Sequence, residues 1–384
     1  MQPGDVTVIA VIVVLRLVVP LLIPRFTLPA LLASLVIDGV DGGIFAGLES
    51  VDTSWYQSYD KALDIYYLAL TYLAVRRNWP DLFSVRVAAA LWYYRLVGVL
   101  LFEITDARWL LMVFPNTFEY LVIAVEVVRT RWSPLRLSRR RLVLLAALIW
   151  VVVKLPQEWW IHVAQLDFTD EFARRVLGVE PGTGLVAGLA HRPWVGVLLL
   201  ALVVGVVLLV RWGRPRLPVP DWRFTVDADR VSERIGWLPS AEAAAAAPRR
   251  SFLDAALAEK VLLVALVTTV LVLVYPGPAA SPGQAFTVIA LAVVAHAAAS
   301  AALHRAGWNP RSWLLRGAVD VAVTALALLA LTALVGGRRG LLTAVDLAFF
   351  TYVVALVVLL FDATTARRAV RPVLRPVAGP LVSV

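Results

Sequence analysis

Residues 194–211 read WVGVLLLALVVGVVLLVR, an uncharged apolar run that ends in Arg211. A helix needs roughly 20 such residues, at about 1.5 Å per residue, to cross about 30 Å of hydrocarbon. The whole chain of 384 residues is 60% hydrophobic and 16% charged, whereas soluble domains are about 45–50% apolar and about 25% charged. The sequence therefore predicts an all-α fold, a polytopic integral membrane helical bundle.

Comparable apolar runs recur along the chain and predict about ten or eleven transmembrane helices. They lie near residues 6–24, 28–47, 61–75, 87–104, 109–128, 142–162, 194–211, 259–275, 284–304, 315–335 and 341–361. Asp38 and Asp41 interrupt the second run, so that segment is either a spanning helix or a re-entrant one.

Composition divides the chain into three parts. Residues 1–210 hold most of the tryptophans and of the ionisable residues at membrane depth, and predict an N-terminal membrane bundle. Residues 211–257 form a polar connector, which we expect to pack on the membrane face. Residues 258–384 are rich in Ala, Leu and Val and predict a four-helix membrane bundle with a basic tail.

The basic residues indicate an orientation. The formal net charge is +9, and most Lys and Arg residues fall in alternate loops, including the loop 211–260 and the C-terminal tail. The positive-inside rule places these loops, and the C-terminus, in the cytoplasm. Nucleic-acid binding is not expected, because the arginines are not interleaved with aromatic residues into a stacking platform.

The residue types that are rare or missing narrow the chemistry and the compartment. The chain has no cysteine, which excludes disulfides, thiolate metal sites and cysteine nucleophiles. The N-terminus lacks a basic region and a small-residue cleavage site, so we expect no removable signal peptide. Arginine greatly outnumbers lysine, and Ala, Val and Leu abound. This composition is typical of a bacterium with GC-rich DNA and indicates its inner membrane.

Two ionisable residues are predicted to meet near the middle of the bilayer. Charges at this depth are costly and face a protein interior or a cavity. Counting about 1.5 Å per residue from the arginine at each helix end places Arg95 about 13.5 Å and Glu119 about 15 Å into the membrane. Their helices are joined by a short turn, so we expect an Arg95–Glu119 ion pair, either structural or functional.

A second group of ionisable residues is predicted near the outer boundary. The same rise places them about 18–25 Å from the basic ends of their helices, and they are Asp60, Asp64, Glu103, Lys154 and Glu158. His162 shares a helix face with Lys154 and Glu158. The group is either a set of interfacial side chains that reach water or a cavity with oxygen ligands for Mg²⁺ or Mn²⁺.

The most specific motif consists of two pairs of aspartates. The chain reads Asp38-Gly-Val-Asp41-Gly42-Gly43 and then Asp60-Lys-Ala-Leu-Asp64. Carboxylates at i,i+3 and i,i+4 can chelate one or two hard cations and present them to a phosphate. The two glycines would allow a close backbone approach. The motif predicts a metal site formed by Asp38, Asp41, Asp60 and Asp64.

Residues 28–75 resemble the signature of the CDP-alcohol phosphotransferases, an integral membrane family. That signature reads Asp-x2-Asp-Gly-x2-Ala-Arg, then Gly-x3-Asp-x3-Asp, and its aspartates bind a divalent metal. The matched positions are Asp38, Asp41, Gly42, Asp60 and Asp64. Phe45-Ala46 stands in place of Ala-Arg, and Tyr56 in place of the second glycine. The resemblance implies that Asp64 acts as a catalytic base.

Two classes of function remain open, together with a third, non-catalytic one. The first is a metal-dependent transferase or hydrolase that acts outside the cytoplasm on a phospholipid or polyprenyl phosphate, with His162 in acid/base chemistry. Phosphate binding or ion pairs are predicted for Arg95, Glu119, Lys154 and Glu158. The second is a transporter that uses the buried Arg16, Arg95 and Glu119. The third is a membrane scaffold. In each case membrane lipids are the expected partners.

Overall fold

The computed structural model describes residues 3–46, 56–164, 171–180, 185–237, 254–274, 281–307, 313–336 and 344–369. Within these ranges every regular element is a helix. In the described part of the chain, nine helical stretches are long and apolar enough to cross a membrane: 4–22, 27–45, 82–105, 109–129, 139–161, 193–216, 255–274, 282–303 and 346–365. The predicted all-α polytopic bundle is confirmed.

The helices are named in chain order. The N-terminal half contains α1 (Pro3–Val18), α2 (Thr27–Ala46), α3 (Tyr56–Asn78), α4 (Leu82–Thr105), α5 (Trp109–Val113), α6 (Thr117–Arg129), α7 (Arg139–Leu148), α8 (Leu155–Glu158), α9 (Leu185–His191) and α10 (Pro193–Gly213). A short helix, α11 (Ala228–Arg234), lies in the connector. The C-terminal half contains α12 (Ala255–Val274), α13 (Pro282–Arg305), α14 (Trp313–Gly336) and α15 (Ala344–Ala369).

The second apolar run forms the single continuous helix α2. Asp38 and Asp41 therefore lie inside a helix, and α2 meets the length and apolarity of a spanning segment. A helix tolerates these two aspartates because its backbone N–H and C=O groups are already paired. Only the side chains then need partners.

Helix α3 lies at the centre of the molecule. It is 23 residues long, and residues 65–75 are buried without interruption. It packs against α2 and α4 of the N-terminal half and against α12 and α15 of the C-terminal half. Because α3 is surrounded by protein, it can carry charged and tyrosine side chains that would be costly on a lipid-facing helix.

The two halves are joined on the side of the bundle where α3 ends. Tyr72 donates a hydrogen bond to Glu259 at 2.6 Å, and the Arg76 guanidinium pairs with the same carboxylate. Arg368 of α15 donates to the carbonyl oxygens of Arg76 at 2.6 Å and Trp79 at 2.8 Å. These donors satisfy carbonyl groups that the end of α3 leaves without helical partners.

The connector lies against this same side of the N-terminal half. Arg25 pairs with Asp227, Arg77 pairs with Asp229 at 2.6 Å, and the Trp237 indole donates to the Arg77 carbonyl at 2.8 Å. Partial burial opposes ionisation of Asp227, but the N–H of Asp229 and the Arg25 guanidinium hold the pKa of Asp227 below its ordinary value. Residues 238–253 lie outside the described ranges.

Helix α10 stands apart from the other long helices. Only 6% of its apolar 18-residue segment is buried, and Val195 is the one buried residue of α10. The run 194–211 is thus a helix whose apolar side chains, such as Leu200 at 64% exposure, face outward on all sides. A lipid environment accommodates such a helix and water does not, because lipid is as apolar as leucine.

Candidate functional site

The four aspartates of the motif surround one arginine. Arg16 of α1 places Nη1 2.5 Å from Asp41 Oδ2 and 2.9 Å from Asp60 Oδ1. Its Nη2 lies 3.2 Å from Asp64 Oδ1 and also donates to Asp38. Arg16 is 4% exposed and Asp41 is fully buried. Charge-assisted hydrogen bonds of this kind are about twice as strong as neutral ones.

Three helices bring these side chains together. Asp38 and Asp41 are three residues apart on α2, and Asp60 and Asp64 are four residues apart on α3, so each pair shares one helix face. A turn at residues 23–26 links the segment that carries Arg16 to α2. The turn packs α1 against α2, which brings Arg16 within reach of Asp38 and Asp41.

Three of the four aspartates have the geometry of a cation site. Carboxylate oxygens of Asp38, Asp60 and Asp64 all lie within 4.8 Å of one another. Their side chains are 23%, 31% and 36% exposed, so an ion can reach them. Asp41 does not belong to this group and is fully buried against Arg16. Oxygen donors of this type suit Mg²⁺ or Mn²⁺.

Among the described residues, four carboxylates of the cluster face one guanidinium, and buried charges are stable only when they are compensated. A divalent cation would supply compensating charge, so the residues present fit such an ion. The sequence placed Arg16 within a span, as a candidate transport residue, but did not predict its contacts with all four aspartates. No motif in the sequence links Arg16 to these aspartates.

Gly43 of the motif has no packing requirement. It lies within α2, and a Cβ atom there would meet no atom within 4 Å. The close backbone approach expected at Gly43 has no counterpart among the described residues.

The predicted ion pair between Arg95 and Glu119 does not form, and this prediction was wrong. Arg95 Nη1 donates to the carbonyl oxygen of Phe114 at 3.0 Å. The helical path is interrupted at Pro115, between α5 and α6. Carbonyl groups near this break therefore lack helical partners. The carbonyl of Phe114 at this break is the acceptor that Arg95 contacts instead of Glu119.

Glu119 is held by uncharged groups instead. The Tyr67 hydroxyl donates to Glu119 Oε1 at 2.8 Å, and Asn116 Nδ2 donates to Oε2 at 2.8 Å. Glu119 is 3% exposed and Tyr67 is 4% exposed. Tyr67 lies three residues after Asp64 on α3, so this pair sits about one helical turn below the aspartate cluster.

Lys154 and Glu158 form a third polar group. Lys154 Nζ lies 3.3 Å from Glu158 Oε1 and donates to Gln157 Oε1 at 3.0 Å. Both charged side chains are nearly buried, and Glu158 also accepts a 3.4 Å hydrogen bond from the Asn116 backbone N–H. The predicted convergence of these residues with Asp60 and Asp64 is only partial, because Lys154 and Glu158 belong to the Glu119 side of the bundle.

The remaining residues of the predicted outer group lie elsewhere. Glu103 pairs with Lys61 at 3.1 Å and does not enter the aspartate cluster. The backbone of His162 belongs to a π-helical segment, Trp159–Val163. Its side chain lies outside the described residues, so its role in acid/base chemistry stays a prediction.

No protein-family model matches the chain, and neither the curated proteins nor the solved structures gave a match. The likeness to CDP-alcohol phosphotransferases therefore rests on the five matched motif residues. The fold and the site define a polytopic helical membrane protein with a cluster of four aspartates around one buried arginine.

Proposed function

We propose that the protein is a divalent-metal-dependent membrane transferase or hydrolase that acts on a lipid-linked phosphate, a phospholipid or a polyprenyl phosphate. The observation that carries the proposal is the convergence of Asp38, Asp60 and Asp64 within 4.8 Å. These aspartates would hold Mg²⁺ or Mn²⁺. The metal would neutralise phosphoryl charge and orient the attacking group.

The residues of this chain have separate roles in the proposal. Asp64 is the proposed base, a role that the family resemblance implies. Asp41 and Arg16 fix the aspartates of α2 relative to those of α3. Arg95 and Lys154 were predicted to bind phosphate, but both already hold protein partners. For either residue to bind phosphate, it would have to leave its present protein partner.

A lipid-linked substrate is favoured by the surroundings of the cluster. Helix α2 carries Val36 and Val40 at 63% and 48% exposure, on the same helix as Asp38 and Asp41. Helix α1 likewise exposes Val14 at 55%. A substrate whose hydrocarbon chain stays in the bilayer along these side chains can bring its phosphate to the aspartates without crossing water.

The proposed location is the inner membrane of a bacterium, with the C-terminus in the cytoplasm and no role in nucleic-acid binding. The concentration of arginines on the side where α3 and α6 end supports this orientation. The aspartate cluster lies toward the opposite ends of α2 and α3, which favours a substrate reached from outside the cytoplasm.

The test is cation binding followed by turnover. Mn²⁺ binding to the purified protein is measured by electron paramagnetic resonance in the wild type, in Asp60→Asn and in Asp106→Asn. Asp106 is exposed, lies outside the cluster and has a φ of 53°, which asparagine tolerates. Asp60→Asn should weaken binding at least about ten-fold, and Asp106→Asn should leave it unchanged.

Turnover is then assayed on polyprenyl phosphates and phospholipids with Mg²⁺ or Mn²⁺. Loss of activity in Asp60→Asn, with activity retained in Asp106→Asn, supports the proposal. Equal Mn²⁺ binding by the three proteins would overturn it.

A transporter is the second function we propose, and the buried position of Glu119 favours it. A carboxylate that is held only by Tyr67 and Asn116 among the described contacts can exchange a proton without breaking an ion pair. Proton-coupled flux in proteoliposomes should then disappear in Glu119→Gln. Flux that persists in this variant, or its absence from the wild type, would rule the transporter out.

A further inference from the structure

An arginine-rich surface lies at the ends of three apolar helices, away from the aspartate cluster. Helix α6 ends there, α7 begins there, and α10 ends there. We define the basic surface by its exposed arginines and exposed apolar side chains: Arg131, Arg136, Arg139, Arg140, Arg141, Arg211, Arg214, Arg216, Arg223, Trp212, Leu217, Val219 and Phe224.

Hydrogen bonds join the two loops that carry this surface. The Ser133 backbone N–H donates to Asp221 Oδ2 at 2.8 Å, and the Arg136 guanidinium pairs with the same carboxylate. The Trp132 indole donates to the Pro218 carbonyl at 3.0 Å. Ser133 is fully buried. The loop after α6 and the connector after α10 therefore form one fixed unit.

The charge of the basic surface is largely uncompensated. Among the described residues, Arg136 is the one arginine of the set that forms an ion pair with a carboxylate. Arg139, Arg140 and Arg141 are consecutive and exposed at the start of α7. Arginines near an anionic leaflet contribute about 1 kcal/mol each to its binding.

Apolar side chains are exposed beside these arginines. Val219 is 83% exposed, Phe224 is 62% exposed and Leu217 is 55% exposed. All three lie in the connector, outside the spanning helices. A surface facing only water gains nothing from three such side chains, whereas the interfacial layer of a bilayer accepts them next to basic residues.

We propose that the basic surface docks on anionic phospholipid headgroups of the adjacent leaflet, with Val219 and Phe224 inserted into the interface. The arginines alone would fit any polyanion. The exposed aliphatic and aromatic side chains, and the position at the ends of three spanning helices, select a lipid surface. The inference is independent of the proposed enzymatic function.

The experiment uses the absence of cysteine from the sequence. Val219→Cys is labelled with an environment-sensitive fluorophore, and the full chain is placed in nanodiscs of phosphatidylcholine alone or with phosphatidylglycerol. Docking predicts blue-shifted, quencher-protected emission in the anionic nanodiscs, with weaker protection at high salt. Glu233→Cys, on the exposed face of α11, is the matched control and should report water in both.

Arginine substitutions provide the second arm. Arg140→Gln in the labelled protein should lower the ratio of protected to unprotected probe about five-fold. Arg174→Gln, an exposed arginine outside the basic surface, should not change that ratio. If Arg140→Gln fails to insert, Phe224→Ser supplies the test without altering charge and should also lower protection.

Water-like emission from Val219→Cys in anionic nanodiscs would overturn the proposal. Equal protection of the probe in nanodiscs of pure phosphatidylcholine would show that docking does not need anionic lipid and would overturn that part of the proposal. Protection by an added RNA oligomer in detergent, matching that in anionic nanodiscs, would identify a general polyanion surface and overturn the choice of lipid.

Discussion

The Nη1 atom of Arg16 lies 2.5 Å from Asp41 of α2 and 2.9 Å from Asp60 of α3, so one guanidinium joins these two helices. The same side chain also contacts Asp38 and Asp64. The cluster is therefore both a connection among α1, α2 and α3 and a site with excess negative charge. The two properties lead to separable predictions.

Arg16→Gln should destabilise the protein in a way that a divalent cation repairs. Breaking a buried ion pair by removing one partner costs about 3–5 kcal/mol, because the remaining charges are left uncompensated. Without metal, the thermal unfolding midpoint of the variant in detergent should be well below that of the wild type. Mn²⁺ should raise the midpoint more in the variant than in the wild type. Arg25→Gln, at an exposed pair, is the control. An equal Mn²⁺ effect in the three proteins would contradict the prediction.

Asp41→Asn should separate stability from cation binding. Asp41 is fully buried against Arg16 and lies outside the group of three converging carboxylates. The variant should lose about 1–3 kcal/mol of stability, since a charged hydrogen bond is weakened. Its Mn²⁺ affinity should remain within a few-fold of the wild type, unlike that of Asp60→Asn. Loss of binding equal to that of Asp60→Asn would place Asp41 among the ligands.

Gly98→Ala should disturb the contact between α4 and the break before α6. A Cβ atom at Gly98 would overlap the Phe114 side chain, whose carbonyl accepts from Arg95. Overpacking of this kind costs about 1–3 kcal/mol. Gly205→Ala on the exposed helix α10 has no neighbour within 4 Å and should be neutral or stabilising. Equal unfolding midpoints for the two variants would refute this packing argument.

Tyr67→Phe should lower stability by removing a donor to a buried carboxylate. Hydrogen bonds to charged groups contribute about 1.5–3 kcal/mol, and the phenyl ring keeps the packing. Thr268→Val is the control, because the Thr268 hydroxyl is buried without a hydrogen-bond partner in the described part of the chain. Unfolding followed by circular dichroism gives both values. A Tyr67→Phe midpoint as high as that of Thr268→Val would show that Glu119 does not depend on this hydroxyl.

Thiol labelling should report the orientation. Thr105→Cys lies at the exposed end of α4, and Arg140→Cys lies at the basic surface. A membrane-impermeant reagent should label Thr105→Cys in intact cells and Arg140→Cys only after permeabilisation, as the arginine distribution predicts. The reverse pattern would place the aspartate cluster toward the cytoplasm and would contradict a substrate reached from outside.

Residue spacing predicted much of the aspartate site. Asp38, Asp60 and Asp64 come together as the motif indicated, because i,i+3 and i,i+4 positions share a helix face. Arg16 was not assigned to the site, since it lies more than twenty residues away and belongs to no motif. Arg95 and Glu119 were predicted to pair with each other, but each has other partners.

The sequence alone determined that the chain is a bundle of membrane helices. In lipid every backbone polar group must be paired within the segment, so long apolar runs have one solution. Only the tertiary structure decided which charges meet. Partners depend on how each helix is rotated and where its backbone breaks, and these follow from side-chain packing around α3. That packing turned Arg16 toward four aspartates and Arg95 toward the Phe114 carbonyl.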